Sequence, residues 1–329
     1  MTSNSKIRLD GVEVLRGLAA LMVCIFHLCV STGLSMEMSK FGQYGYLGII
    51  VFFVLSGFVI PLSLFKSNYR IRSFFKFILK RIVRLHPPYL AVIALTLVYI
   101  LLTRPAFLPS IKSLVLHLIY SNSYFSIPNI SPVFWTLLIE IKFYFFLGLC
   151  YPLLTIKSQR TFILLIELVL AAQLFLYQID GLFNYIAVFA CGLILFRLKY
   201  LKLSIPVFIL LIVQNIFLIA YTIGASEGII SILTIGFLYF IKSIPKNGVG
   251  DFFLSLGAIS YSIYLLHWEF GRAMVSLSRY IPYLGKYEIF RLISAVLFTL
   301  ILSSIFFILI EKPAIKLSNK IKMNRNSNS

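Results

Sequence analysis

Residues Leu15–Leu28 read "LRGLAALMVCIFHL", an apolar run with an arginine near its start and a histidine near its end. With its flanks, about 13–33, the run reaches the roughly 20 residues that cross a bilayer as a helix. Arg16 and His27 stand eleven positions apart, which in a helix is three turns plus about 20°. They share one helical face, about 16 Å apart along the axis, or roughly half the hydrocarbon thickness. Ionisable groups are costly at such depth and mark cavities or partners. Singly, each has a plain reading: Arg16 snorkels to the interface or pairs with Glu13, and His27 is a packing histidine held by a hydrogen bond.

The rest of the chain repeats the first stretch. Of 329 residues 60% are hydrophobic and 12% charged, with mean hydropathy +0.95, whereas a soluble domain is about 45–50% apolar and about 25% charged. Apolar runs fall at about 13–33, 44–65, 87–103, 132–154, 161–177, 183–198, 203–222, 227–242, 252–271 and 288–310. The eighth is short and broken by Gly236. The expected fold is all-α, a polytopic membrane protein of about ten transmembrane helices. It forms a single membrane domain over 1–329, with the embedded part about 9–316 and a short disordered tail, "KMNRNSNS".

Charge orients these spans. With a cytoplasmic N-terminus, one side collects Lys6, Arg8, the basic residues from Lys66 to Arg84, Lys157, Arg160, Arg197, Lys199, Lys202, Lys242, Lys246 and those from Lys312 to Arg325. The other side holds only Lys40, Arg104, Lys112, Arg272, Arg279 and Lys286. The positive-inside rule then puts both termini in the cytoplasm. The net charge of +19 is explained by anionic lipid rather than by nucleic acid. Asp10, Glu13 and Arg16 interrupt the first run, which is expected to be a retained helix and not a cleaved signal peptide. Cys24, Cys29, Cys150 and Cys191 lie in apolar runs without metal-ligand spacing and read as small core residues, so no metal is expected.

Further polar residues fall where lipid should be. The fourth run, "SPVFWTLLIEIKFYFFLGLC" from Ser131, carries Glu140 at a depth matching that of His27. A carboxylate beside an imidazole orients the ring and raises its basicity, as a general base requires. Tyr144 lies one turn from Glu140 on the same face; Trp135 suits an interface anchor, and Lys142 points away. Arg81 and Arg84 are three apart, just before Pro87, where the third span is expected to start. Two guanidinium groups at a membrane surface suit an anionic ligand, although topology alone also explains a basic loop. His267, in "GAISYSIYLLHWEF", reads as a histidine near the outer face. Ser56 with Gly57 reads as small-residue helix packing, and His86 and His117 as interfacial.

Taken together, "LDGVEVLRGLAALMVCIFHL", "GIIVFFVLSGFVIP", "RSFFKFILKRIVRLHPPYL", "WTLLIEIKFYFF" and "LGAISYSIYLLHW" resemble the membrane-bound acyltransferase-3 family, which includes bacterial O-antigen and exopolysaccharide O-acetylases. The resemblance spans about 9–268, and "IEKPAIKL" looks familial too. It implies transfer of an acyl group, commonly acetyl, from cytoplasmic acetyl-CoA to a hydroxyl of a carbohydrate. The enzyme would be multi-pass in the cytoplasmic (inner) membrane of a bacterium. Acyl-CoA enters as donor substrate, with no permanently bound cofactor. Matched residue by residue, His27, Glu140 and Tyr144 are the catalytic candidates, Arg16, Arg81 and Arg84 bind acyl-CoA, and Trp135 and His267 support the acceptor or the structure. Some relatives add an extracytoplasmic hydrolase-like domain. None is expected here, so the chain acts alone or passes the acyl group to a separate extracytoplasmic protein. His27 acts either as general base or as a nucleophile forming an acyl-imidazole. A ten-helix transporter or flippase with a His27–Glu140 proton relay is the alternative class, and a scaffold without chemistry is the third.

Overall fold

In hydrocarbon every backbone N–H and C=O must be satisfied within its own segment, so apolar runs without β-barrel alternation become helices. A computed structural model describes residues 10–30, 34–156, 158–241, 243–245 and 247–323, and among them the chain is helical without a β-strand. Lys6, Arg8, Lys157, Lys242, Lys246 and Arg325, and the expected tail from 324 onward, lie outside the described residues.

Among the described residues, eight helical stretches are long and apolar enough to cross a membrane: Asp10–Cys29, Met36–Lys66, Ile71–Thr103, Pro132–Leu154, Gln159–Leu176, Gly181–Tyr200, Ile205–Thr222 and Glu288–Lys320. Gly248–Ala258 and Ser260–Tyr280, bent by 54° at their junction, form either a broken ninth span or a re-entrant loop. The short eighth run of the sequence is the 16-residue apolar helix Ala225–Phe240.

Three details differ from expectation. The third span does not begin at Pro87: one helix runs from Phe74 to Thr103 with Pro87 and Pro88 inside it. Neighbouring helices tolerate the two lost amide donors. Thirty residues span about 45 Å, more than the hydrocarbon thickness, so Arg81 and Arg84 sit on the spanning helix itself. The ninth span is broken rather than straight, and widens into a π-helical turn at His267–Gly271. The last span continues to Lys320 through a second π-helical turn, Phe307–Glu311.

The chain divides into two compact units, and the boundary falls inside the first helix, after Met22. The first unit comprises the helix up to Met22, Tyr46–Leu62 and Thr155–Ser260. Its helices cross at glycines. A Cβ on Gly57 would meet the Phe189 carbonyl oxygen at 1.9 Å, and one on Gly192 would meet that of Val54 at 2.0 Å. Likewise a Cβ on Gly257 would meet the Glu13 carbonyl oxygen at 2.1 Å. The sequence reading of Gly57 as a helix-packing residue therefore holds. At the end of this unit's helix Gly181–Tyr200, buried Arg197 donates to the Ile156 carbonyl at 2.7 Å and lies over the Phe162 ring.

The second unit comprises Val23–Gly45, Ser63–Leu154 and the chain from Tyr261 on. Tyr69 donates to the Gly148 carbonyl at 2.8 Å, and Ser262 to the Glu311 carboxylate. His117 is fully buried within the protein. Its Nδ1 donates to the Ser113 carbonyl at 2.7 Å, and its Nε2 accepts from the Ile130 amide at 3.0 Å. Burial pushes its pKa below the usual histidine value, in keeping with a neutral ring that staples the Ile119–Ser131 loop to its helix.

Candidate active site

His27 lies in the last turn of the first helix, where an unbroken apolar sequence carries the chain down to Cys29. Its imidazole stacks on that of His267, with centroids 5.2 Å apart and planes 27° apart. The Trp268 ring meets it edge-on at 4.8 Å, and Phe26 is tilted against it at the same distance.

His267 is fully buried. Its Nδ1 is 3.0 Å from the Ile263 carbonyl oxygen, which can only accept, so Nδ1 carries the hydrogen. In the neutral ring Nε2 then presents a lone pair. That atom is buried with no hydrogen-bond partner among the described residues. Buried polar atoms are rarely left so, and a ligand or water at His27 would satisfy it.

A second group forms around Tyr144, on the helix Trp135–Leu154. The Tyr144 hydroxyl donates to the Glu140 carboxylate one turn away. The Arg81 guanidinium lies 5.5 Å from the centroids of both the Tyr144 and the Phe77 ring. Arg81 and Tyr144 line a cleft of about 290 Å³, together with Ile78, Ile82, Leu85, His86, Tyr120, Ile141 and Phe145. His86 Nδ1 is 3.2 Å from the Tyr120 hydroxyl. Arg81 is thus held between aromatic rings beside a carboxylate-bonded tyrosine, rather than displayed on a separate surface helix.

The structure brings His27 together with His267, and Glu140 with Tyr144 and, through the Tyr144 ring, Arg81. On the same helix as Glu140, the Thr136 hydroxyl is 2.5 Å from that of Tyr264, and the Tyr264 ring lies 5.8 Å from His267. Arg84 follows Arg81 by one turn on the same helix, and Trp135 opens the helix that carries Glu140. Lys142 Nζ lies 4.9 Å from the centroid of the Tyr124 ring. Arg16, in the other unit, pairs with Glu13 at 3.8 Å.

Sequence reasoning passed over Trp268, Glu269, Arg104 and Arg272. Glu269 is buried and accepts from Arg104 at 3.2 Å, and the Arg272 guanidinium lies 4.3 Å from the Trp268 ring. The available signal was Glu269 itself, an acidic residue in an apolar run beside a candidate histidine.

A family profile described as "Acyltransferase domain", of the acyltransferase-3 type, matches residues 9–310. Among curated proteins, the "Putative acetyltransferase ORF330" of Acidianus two-tailed virus is 26% identical over 283 residues, covering 78% of this chain and 81% of that protein. No solved structure matches the chain.

Proposed function

Because the chain belongs to the acyltransferase-3 family, we propose that this membrane-embedded acyltransferase moves an acetyl group from acetyl-CoA to a carbohydrate hydroxyl. The acetyl choice draws support from the name of the viral relative. The observation that carries the chemistry is the His27 imidazole, caged by His267 and Trp268 beside a buried, unsatisfied Nε2.

In this reading His27 takes the proton of the acceptor hydroxyl as its oxygen attacks the thioester carbon. The carbon–sulfur bond breaks, and the proton passes to the departing CoA thiolate. A stacked neutral ring is a favourable neighbour for the imidazolium that forms. Arg81 and Arg84 are assigned to the donor's phosphates, which suit guanidinium groups. Glu140 and Tyr144 hold the Arg81 side chain in place. With both termini in the cytoplasm, the donor binds from the cytoplasm and His27 meets the acceptor from the far leaflet. The protein then belongs to a cytoplasmic membrane.

Purified protein in nanodiscs, given acetyl-CoA labelled in the acetyl group and a panel of glycans, is expected to yield labelled carbohydrate. Retention of all label on CoA would overturn the reading, and movement of solute without acetylation would favour the transport alternative. Mass comparison of surface glycans from cells with and without the gene names the acyl group and its carrier.

The donor assignment makes its own prediction. A charge-assisted hydrogen bond contributes about 1.5–3 kcal/mol, so Arg81→Ala is expected to raise the KM for acetyl-CoA about 10- to 100-fold. Unchanged donor KM in initial-rate measurements would remove Arg81 from the donor site.

A further inference from the structure

The first four residues of the π-helical turn His267–Gly271 each have a described contact, and these contacts reach the first helix and the end of the helix Phe74–Thr103. His267 stacks on His27, and Trp268 meets the same ring edge-on. Glu269 is buried and accepts from half-exposed Arg104, at the end of the long helix. The Phe270 ring lies 6.0 Å from that of Tyr99, and the Arg104 guanidinium lies 5.7 Å from the Tyr99 centroid. Gly271 is closely approached: a Cβ there would meet Thr299 Oγ1 at 2.8 Å and Leu28 Cδ2 at 2.9 Å, so those side chains would have to shift.

A π-helical turn is wider than an α-helical one, is rare, and recurs at functional sites. Here its register aims two consecutive rings at one histidine while the next residue, Glu269, reaches away to Arg104. Buried Glu269 is costly without its partner, so packing alone does not account for it.

We propose that the Arg104–Glu269 ion pair locks the His267–Gly271 turn, and that the turn, through His267 and Trp268, sets the orientation of the His27 ring for acyl transfer. Arg104, Glu269 and Trp268 are positioning residues: none takes or gives the transferred proton, and each acts through His27. The inference rests on the proposed role of His27. Its physical basis is the steep dependence of transfer on geometry, since a misplacement of about 1 Å costs about 100-fold in rate.

The test uses the full-length protein in nanodiscs, with acetyl-CoA and whichever acceptor the labelling assay identifies. Arg104→Gln and Glu269→Gln are each expected to lower kcat about 100-fold, while the KM for acetyl-CoA stays within about twofold. The reversed pair, Arg104→Glu with Glu269→Arg, is expected to recover about tenfold of that loss, because the lock depends on complementary charge rather than on either residue alone. Wild-type kcat in both single variants would overturn the proposal. So would a reversed pair that folds, judged by its thermal melt, yet is no better than either single variant. Should the single variants fail to fold, Trp268→Phe decides. It keeps an aromatic ring while shortening its reach to His27, and is expected to lower kcat with donor KM preserved; an unchanged kcat there counts against the proposal. His27→Ala run in parallel separates the two levels. Full transfer by His27→Ala sinks the assignment of the base itself, whereas inactive His27→Ala beside fully active lock variants sinks only this inference.

Discussion

Replacing His27 with alanine is expected to abolish acetyl transfer while leaving acetyl-CoA binding intact. General base catalysis contributes about 10²- to 10⁴-fold, and alanine leaves no group at that position to take the hydroxyl proton. The His27 ring is in contact with His267, Trp268 and Phe26, so its removal opens a gap lined by rings and leaves their backbone supports in place. His267 keeps its hydrogen bond to Ile263, and Glu269 keeps Arg104. The variant should therefore melt within a few degrees of the parent and titrate with acetyl-CoA normally, while single-turnover measurements show the chemical step lost. His27→Gln, which restores a polar group of similar reach but no basic nitrogen, should be as inactive as the alanine variant. Recovery of activity by glutamine would point to a role in hydrogen bonding rather than in proton transfer.

The second large effect concerns stability. Gly57→Val is expected to prevent the first unit from assembling. The helices Gly48–Lys66 and Gly181–Tyr200 meet there backbone to backbone, and a Cβ on Gly57 would fall 1.9 Å from the Phe189 carbonyl oxygen. Gly192 faces the same crossing from the other side, with its Cβ position 2.0 Å from the Val54 oxygen. Neither obstacle is a flexible side chain, so a branched residue must separate the two helices along their crossing. Small residues at helix crossings gain their stability from this close approach. Losing it costs about 3 kcal/mol or more, against a total stability of about 5–15 kcal/mol. Thermal unfolding followed by tryptophan-independent probes, such as far-UV circular dichroism, should show a large fall in Tm or no recoverable protein. A Gly57→Val protein with parental Tm would mean that the helices do not cross as closely as described.

Arg16 and His27 illustrate what the sequence could and could not give. Their shared face follows from the helical repeat alone, because eleven residues close three turns whatever surrounds them. Their partners do not follow from it. Glu140 stood at the right depth for His27, but depth along one axis says nothing about which helix faces which. The described contacts set Glu140 against Tyr144 and His27 against His267. Arg81 was legible as a cation at a helix end, yet its place between the Phe77 and Tyr144 rings depends on a helix that runs through two prolines, where local rules predict a boundary. The His267–Gly271 turn was not legible. Its sequence, "HWEFG", continues an ordinary helical pattern, and the shift to a wider register arises from what packs against it.

The amino-acid sequence by itself determined that this protein is a bundle of membrane-crossing helices, which residues are too polar for lipid, and to which family of acyltransferases the chain belongs. These properties depend on local terms, the transfer free energy of each side chain and the hydrogen bonds of each backbone segment, and local terms are written in the order of residues. The tertiary structure alone decided that His27 is caged by His267 and Trp268, that Glu269 reaches Arg104, and that Gly57 and Gly192 share one crossing. Each of these joins residues more than a hundred positions apart, and the contact exists only once packing has chosen which helical faces meet.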